Sequence, residues 1–276
     1  MQKRIISGVV YACILAMFFV LRQVVEYRLF DLLIWFMMVV GTFEVARATK
    51  ELTIKGTFYL SIIYAVLLIP IYYLCQYKIL FYRYGNLAVI YLFALMLIVN
   101  LVLAIIYNAE PKKFMWTALV YIYPALLLYV MFITNNTSAH AFIMLILAFI
   151  ISPISDTFAY LVGSKIGGKK LCPKISPNKT WSGAIGGTIG GIISSIAVYF
   201  ICAPKVNVGS PVIFFLIVGV VASIANIFGD LFESYIKRKV GIKDMGKIMP
   251  GHGGVLDRID GTMFVTIVIY IMFLFV

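Results

Sequence analysis

Apolar residues in this chain run in long blocks, not in short alternations, and brief polar breaks separate them. A helix needs about 17–25 apolar residues to cross the hydrocarbon layer of a bilayer. Nine blocks are read as such spans: residues 5–21, 29–46, 57–74, 86–107, 114–133, 140–163, 183–203, 212–229 and 262–276. The predicted fold class is all-α, a polytopic integral membrane protein with about nine transmembrane helices. Residues 1–139 form N-terminal spans and residues 140–276 the more polar C-terminal part of one continuous membrane domain. The first block follows Met-Gln-Lys-Arg without a small-x-small cleavage site, so it is expected to stay as an uncleaved span.

The two halves differ in their polar residues. In the first half these sit near span ends, as interface anchors do. Asp31 and Glu44 of the second span are expected to snorkel to water, because each lies near an end of its block. In the second half, glycine enters the spans. Gly183, Gly187 and Gly191 recur every four residues, as do Gly186 and Gly190. Small residues at that spacing let helix backbones approach closely, so this pattern predicts packing and not chemistry.

Composition agrees with a bilayer setting: 63% of residues are hydrophobic, 12% are charged and the mean hydropathy is +1.04. With the N-terminus placed inside, 18 of the 23 Lys and Arg fall in cytoplasmic segments. That bias predicts a cytoplasmic N-terminus and an exterior C-terminus. The net charge of +12 then reflects this asymmetry and an attraction to anionic lipid headgroups. No nucleic-acid motif accompanies it, and nucleic acid is not expected as a partner. Cys13, Cys75, Cys172 and Cys202 lack CxxC spacing, which argues against a zinc or redox centre. Cys75 and Cys202 both fall near the exterior face, where a disulfide is conceivable without being the expectation.

Candidate chemistry gathers on the cytoplasmic face. Asp156 near the end of the sixth span, Asp230 at the end of the eighth, and Asp257 and Asp260 before the ninth share one depth by topology. Carboxylates from several helices at one depth suit Mg²⁺, which takes one or two of them plus phosphate oxygens. If helix continues past Asp230, then Asp230, Glu233, Ser234 and Lys237 share a face, and Asp257 and Asp260 form a second i, i+3 pair. The segment Gly163–Gly183 carries five lysines, with Ser176, Asn178 and Thr180 among them. Ammonium groups there can neutralise phosphate while hydroxyls and backbone N–H groups orient it. Its glycines and Lys169 resemble a P-loop, but Lys170 stands where Ser or Thr belongs and no βαβ context exists, so that assignment is rejected. His252, among Gly251, Gly253 and Gly254, is a candidate phosphate donor or proton shuttle. His140 lies at the exterior end of a span and is expected to be interfacial.

Ser234–Asp260 packs six Lys or Arg, three Asp and His252 into 27 residues, and it resembles the signature of phosphatidate cytidylyltransferases, or CDP-diacylglycerol synthases. The likeness runs through Ser234, Lys237, Arg238, Lys243, Asp244, Gly246, Pro250, His252, Gly253, Gly254, Asp257, Arg258 and Asp260. Met249 stands where that family usually has Leu, Ile or Phe. SPNKTW (Ser176–Trp181) resembles a second motif of the family, with Ser182 where Glu is frequent, and SDTFAY around Asp156 resembles a third. The likeness covers residues 140–276; the first half matches only as a set of spans.

The resemblance implies transfer of CMP from CTP to phosphatidate with Mg²⁺, for phospholipid biosynthesis in a bacterial inner (plasma) membrane. It places Asp230 and Asp257 at the metal, with Asp156 as a further candidate ligand, and leaves a second ion open. Lys237, Arg238, Lys243, Asp260 and His252 are the remaining candidate catalytic residues. Lys174, Ser176, Asn178, Lys179, Thr180, Asp244, Gly253, Gly254 and Arg258 are the substrate-binding candidates. The resemblance also suggests a homodimer. Rival functions are a CTP-using lipid-alcohol kinase, a CDP-archaeol synthase and, from another class, a transporter of anions. A kinase leaves CDP instead of pyrophosphate. A transporter is disfavoured because the charges cluster at one face instead of the midplane.

Overall fold

A computed structural model describes residues 2–76, 84–202, 206–249, 251 and 253–276, without the side chains of residues 2–5. Pro250 and His252 lie outside the described residues, as do Lys78, Arg83 and Lys205, which the orientation argument counts as exterior. The helices are α1 (Gln2–Val24), α2 (Leu29–Ala48), α3 (Thr57–Gln76), α4 (Gly85–Ile106), α5 (Pro111–Val120), α6 (Leu127–Thr137), α7 (Ala141–Ile166), α8 (Trp181–Cys202), α9 (Pro211–Lys239) and α10 (Leu256–Phe273). A short antiparallel hairpin, β1 (Lys170–Cys172) and β2 (Ser176–Thr180), lies between α7 and α8. Among the described residues, eight helical segments are long and apolar enough to cross a membrane. The protein is thus an all-α, multi-pass membrane protein. α10 falls short of that measure because Asp257, Arg258 and Asp260 are among its first five residues.

Local chemistry explains the main boundaries. Pro111 and Pro211 open α5 and α9 at the position where a missing N–H removes no helical bond. The block expected at 114–133 is interrupted: Tyr123 leaves helical geometry (φ −109°, ψ 118°) just before Pro124, so α5 and α6 are separate pieces. Proline at that point lacks a donor and crowds the preceding turn.

The chain divides into two compact units, Met1–Tyr129 with Asp244–Leu256, and Val130–Lys243 with Asp257–Val276. In the first unit Phe30, Ile34, Met38, Tyr64, Leu68 and Tyr121 are fully or almost fully buried. Asn100 is inside this core as well, donating to the Met96 carbonyl (2.7 Å) and to the Tyr121 hydroxyl (2.8 Å), which satisfies its amide away from water. The snorkelling expected of Asp31 and Glu44 does not occur. Asp31 is 3% exposed and accepts a hydrogen bond from Tyr73; Glu44 is 0% exposed and accepts two backbone N–H bonds. Tertiary donors replace the water that snorkelling would have reached.

The second unit contains α7, α8, α9 and α10. Its apolar core joins Ile143, Met144, Leu147 and Ile151 of α7 to Phe215, Val218 and Ala222 of α9 and Val265 and Ile269 of α10. The glycine pattern acts as expected. A Cβ on Gly187 would lie 3.0 Å from the Ser155 carbonyl, and one on Gly190 would lie 2.7 Å from Phe158. Gly219 of α9 faces the α8 backbone, with a Cβ there 2.6 Å from Ile192 Cα. The four cysteines are free thiols.

Candidate functional site

The second unit brings most of the predicted acids together. α9 continues as helix to Lys239, so Asp230, Glu233, Ser234 and Lys237 do share a face. Gly229 and Gly261 let α9 and α10 meet at backbone distance: a Cβ on Gly229 would lie 2.7 Å from the Asp260 carbonyl oxygen. A Cβ on Gly261 would overlap the Asn226 side chain. These two glycines therefore set how near the α10 acids come to the α9 acids.

Two lysines bind this cluster. Lys237 donates to Asp257 Oδ1 at 2.9 Å and lies 3.5 Å from Glu233 Oε2. Lys179, from β2, pairs with Asp230 at 2.5 Å. Ser234 donates to Asp230 at 3.3 Å. Asp260 accepts the Gly261 N–H at 2.7 Å. On α7, Asp156 accepts from Asn226 Nδ2 (2.7 Å), whose Oδ1 accepts from Ser152 (2.6 Å). Asp156 also feels the charges of Asp230, Asp260 and Lys179. Five carboxylates thus face two ammonium groups.

That imbalance bears on a cation. The donors are all oxygen, which suits a hard divalent ion such as Mg²⁺. Both Glu233 carboxylate oxygens are buried without a hydrogen-bond donor, although Lys237 is near. Among the described residues no three acidic, His or Cys groups converge closely enough to enclose an ion alone. One or two carboxylates completed by phosphate oxygens is the usual Mg²⁺ arrangement, so the residues fit an ion that arrives with a phosphate ligand.

The hairpin presents the lysine-rich segment to this cluster. Backbone pairing of Lys170 with Thr180 and Cys172 with Ser176 turns what reads as a loop into a ribbon. Arg238 Nε donates to the Ile175 carbonyl at 3.3 Å, tying the end of α9 to the hairpin turn. Thr180 is the N-cap of α8, its hydroxyl accepting from Gly183 N–H at 3.1 Å. Ser182, which stands where the resembled family often has Glu, donates to the Gly167 carbonyl and lies 3.0 Å from the Thr180 hydroxyl. Here that position serves to anchor the loop.

The structure gives no contact of the remaining candidates with the cluster among the described residues. Lys174 and Asn178 are exposed on the hairpin, and Ser176 is half-buried. Lys243 and Arg258 are exposed. Asp244, Gly253 and Gly254 belong to the first unit, and His252 lies outside the described residues. Two participants were missed. Asn226 orients Asp156, and its place four residues before Asp230 on the same helical face is the signal that could have found it. The part played by Gly229, beside Asp230 at the end of the eighth span, was missed because it is steric.

Comparison with known proteins adds to this geometry. The family model described as "Cytidylyltransferase family" matches residues 2–276. A Thermotoga maritima protein named phosphatidate cytidylyltransferase is 36% identical over 188 residues, covering 65% of this chain and 68% of the relative. Proteins of the same name from Brucella abortus and Staphylococcus haemolyticus are 44% and 46% identical over 117 and 118 residues. Those alignments cover 42% and 43% of this chain, and 42% and 44% of the relatives, so the chain spans less than half the length of either.

Proposed function

The chain belongs to the cytidylyltransferase family, and from that premise we propose that it transfers CMP from CTP to phosphatidate. The products are CDP-diacylglycerol, which stays in the bilayer, and pyrophosphate. One observation carries this reading: five carboxylates and two lysines converge where α9, α10 and the lysine-bearing hairpin meet. Such a site suits a reaction between two anions that must be brought together.

A phosphate oxygen of phosphatidate attacks the α-phosphorus of CTP. The new P–O bond forms as the bond from the α-phosphorus to the bridging oxygen breaks. Pyrophosphate leaves with that electron pair, and no enzyme-bound intermediate is required. Asp230 and Asp257 would hold Mg²⁺, with Asp156 beside them, and the ion would neutralise phosphate charge and polarise the α-phosphate. Lys179 and Lys237 already balance carboxylates at the cluster and can meet phosphate oxygens there. Arg238 holds the hairpin that delivers Lys179. Positioning and charge stabilisation supply most of the rate in such chemistry. The Lys and Arg bias supports a site on the cytoplasmic side, with the N-terminus inside and the C-terminus outside, and the family resemblance supports a bacterial inner membrane. The lipid chains remain in the bilayer while the headgroup reaches the acids.

The test uses purified protein in detergent with cytidine-labelled CTP, phosphatidate and Mg²⁺. Equal amounts of lipid-phase label and aqueous pyrophosphate are expected. CDP without labelled lipid would instead indicate a kinase, and label accepted only by unphosphorylated or ether lipids would move the acceptor class. Lys179→Ala should raise KM for CTP or phosphatidate by roughly tenfold or more, the scale of one charge-assisted hydrogen bond. Unchanged KM for both substrates would remove Lys179 from binding.

A further inference from the structure

Glu44 is a carboxylate that the proposed reaction does not use. It sits on α2, is 0% exposed, and binds a segment more than two hundred residues later in the chain. Its Oε1 accepts the Val255 N–H at 3.1 Å and its Oε2 accepts the Leu256 N–H at 2.9 Å. Both oxygens therefore receive a donor from consecutive residues. The surrounding segment is shaped to admit the carboxylate. A Cβ on Gly246 or on Gly254 would overlap it, and Gly254 is itself buried. Gly41, one turn earlier on α2, lies beside the Leu256 side chain, where a Cβ would be in ordinary contact at 3.6 Å from its Cδ1. Met249 N–H donates to the Gly253 carbonyl at 2.9 Å and closes the segment on itself.

Asp257 is the next residue after Leu256. Leu256 also begins α10, whose first N–H groups lack partners inside the helix. A buried carboxylate that accepts two such groups settles both an unsatisfied donor pair and the direction in which the helix starts. We propose that Glu44 is a positioning residue: through the Val255 and Leu256 amides it fixes the backbone that aims Asp257. The proposal rests on the assignment of Asp257 to the phosphoryl-transfer site, and its own test is arranged to stand apart from that assignment.

Two variants perturb the contact from opposite sides. Glu44→Gln keeps the shape but replaces one acceptor with an NH₂ that faces a backbone donor. Gly246→Ala leaves Glu44 in place and crowds its carboxylate from the other side. Amide hydrogen exchange of the full-length protein in detergent reads the Val255 and Leu256 sites directly. Exchange there should accelerate about tenfold in both variants, the scale of one lost hydrogen bond, while the α7–α8 seam stays protected. In the cytidylyltransferase assay, kcat should fall at least about tenfold, because small misplacements of a reacting group are costly. KM for CTP should move less than about threefold, since no binding group has been removed.

Unchanged exchange at residues 255 and 256 in both variants would overturn the proposal. Faster exchange with wild-type kcat would overturn it too, because the tie would then position nothing. A wild-type protein that makes no cytidylylated lipid would sink the functional reading alone, and the exchange comparison would still decide whether Glu44 holds this backbone.

Discussion

Asp257→Asn and Asp230→Asn should each lower turnover at least about a hundredfold, the scale of losing one electrostatic catalytic group. The side chain of Asp257 is 5% exposed and its carboxylate takes a 2.9 Å bond from Lys237. Asparagine there keeps the volume but removes the charge that would hold a metal. The fold should persist, because Lys237 retains Glu233 at 3.5 Å as a counter-charge. Asp230 is more open, with its side chain 31% exposed and Lys179 as its partner. Its replacement should therefore disturb stability less while removing the same kind of ligand. The measurement is kcat at saturating CTP and phosphatidate, on variants that elute from size exclusion as the wild type does. Near-normal turnover in either would take that residue out of the metal role.

Gly229→Val should be comparably damaging for a steric reason. Its Cβ would lie 2.7 Å from the Asp260 carbonyl oxygen, 2.7 Å from Phe264 Cδ2 and 3.0 Å from Gly261 Cα. Two of those atoms are backbone and cannot swing aside, so α9 and α10 must part. Overpacking of this sort costs about 1–3 kcal/mol of stability. The effect on rate should be larger, roughly a hundredfold, because the parting helices carry Asp230 on one side and Asp257 and Asp260 on the other. A lowered melting temperature together with lost turnover is the expected pair of results. Gly209→Ala is the control: a Cβ there meets nothing within 4 Å, and both quantities should stay at wild-type values. Wild-type turnover in Gly229→Val would show that the α9–α10 spacing does not matter to the reaction.

Much of this arrangement is legible in the sequence, because helix periodicity is local. The face through Asp230, Glu233, Ser234 and Lys237 needs only 3.6 residues per turn and a helix that continues to Lys239. The glycine seam of α8 is readable for the same reason. What escaped depends on partners distant in sequence. Asp31 and Glu44 sit near span ends, where water is the default solvent, and no local pattern announces Tyr73 or the Val255 and Leu256 amides. The hairpin escaped because Pro177 and Asn178 are poor strand formers, and its two strands total only eight residues. Its order comes from backbone pairing and from Arg238.

The glycines of α8 have one more consequence, which concerns how this helix can change over generations. Gly183, Gly187 and Gly191 face neighbouring backbones or side chains with no room for a methyl group. Glycine has no rotamers to surrender, so the contact forms without side-chain entropy loss, and any larger residue must push a helix aside. Ile185, Ile189 and Ile193 point away, at 61%, 49% and 51% exposure. In a bilayer those positions need only be apolar. A single helix should therefore drift at two speeds, free to exchange Ile, Leu, Val and Phe along one edge while standing still along the other.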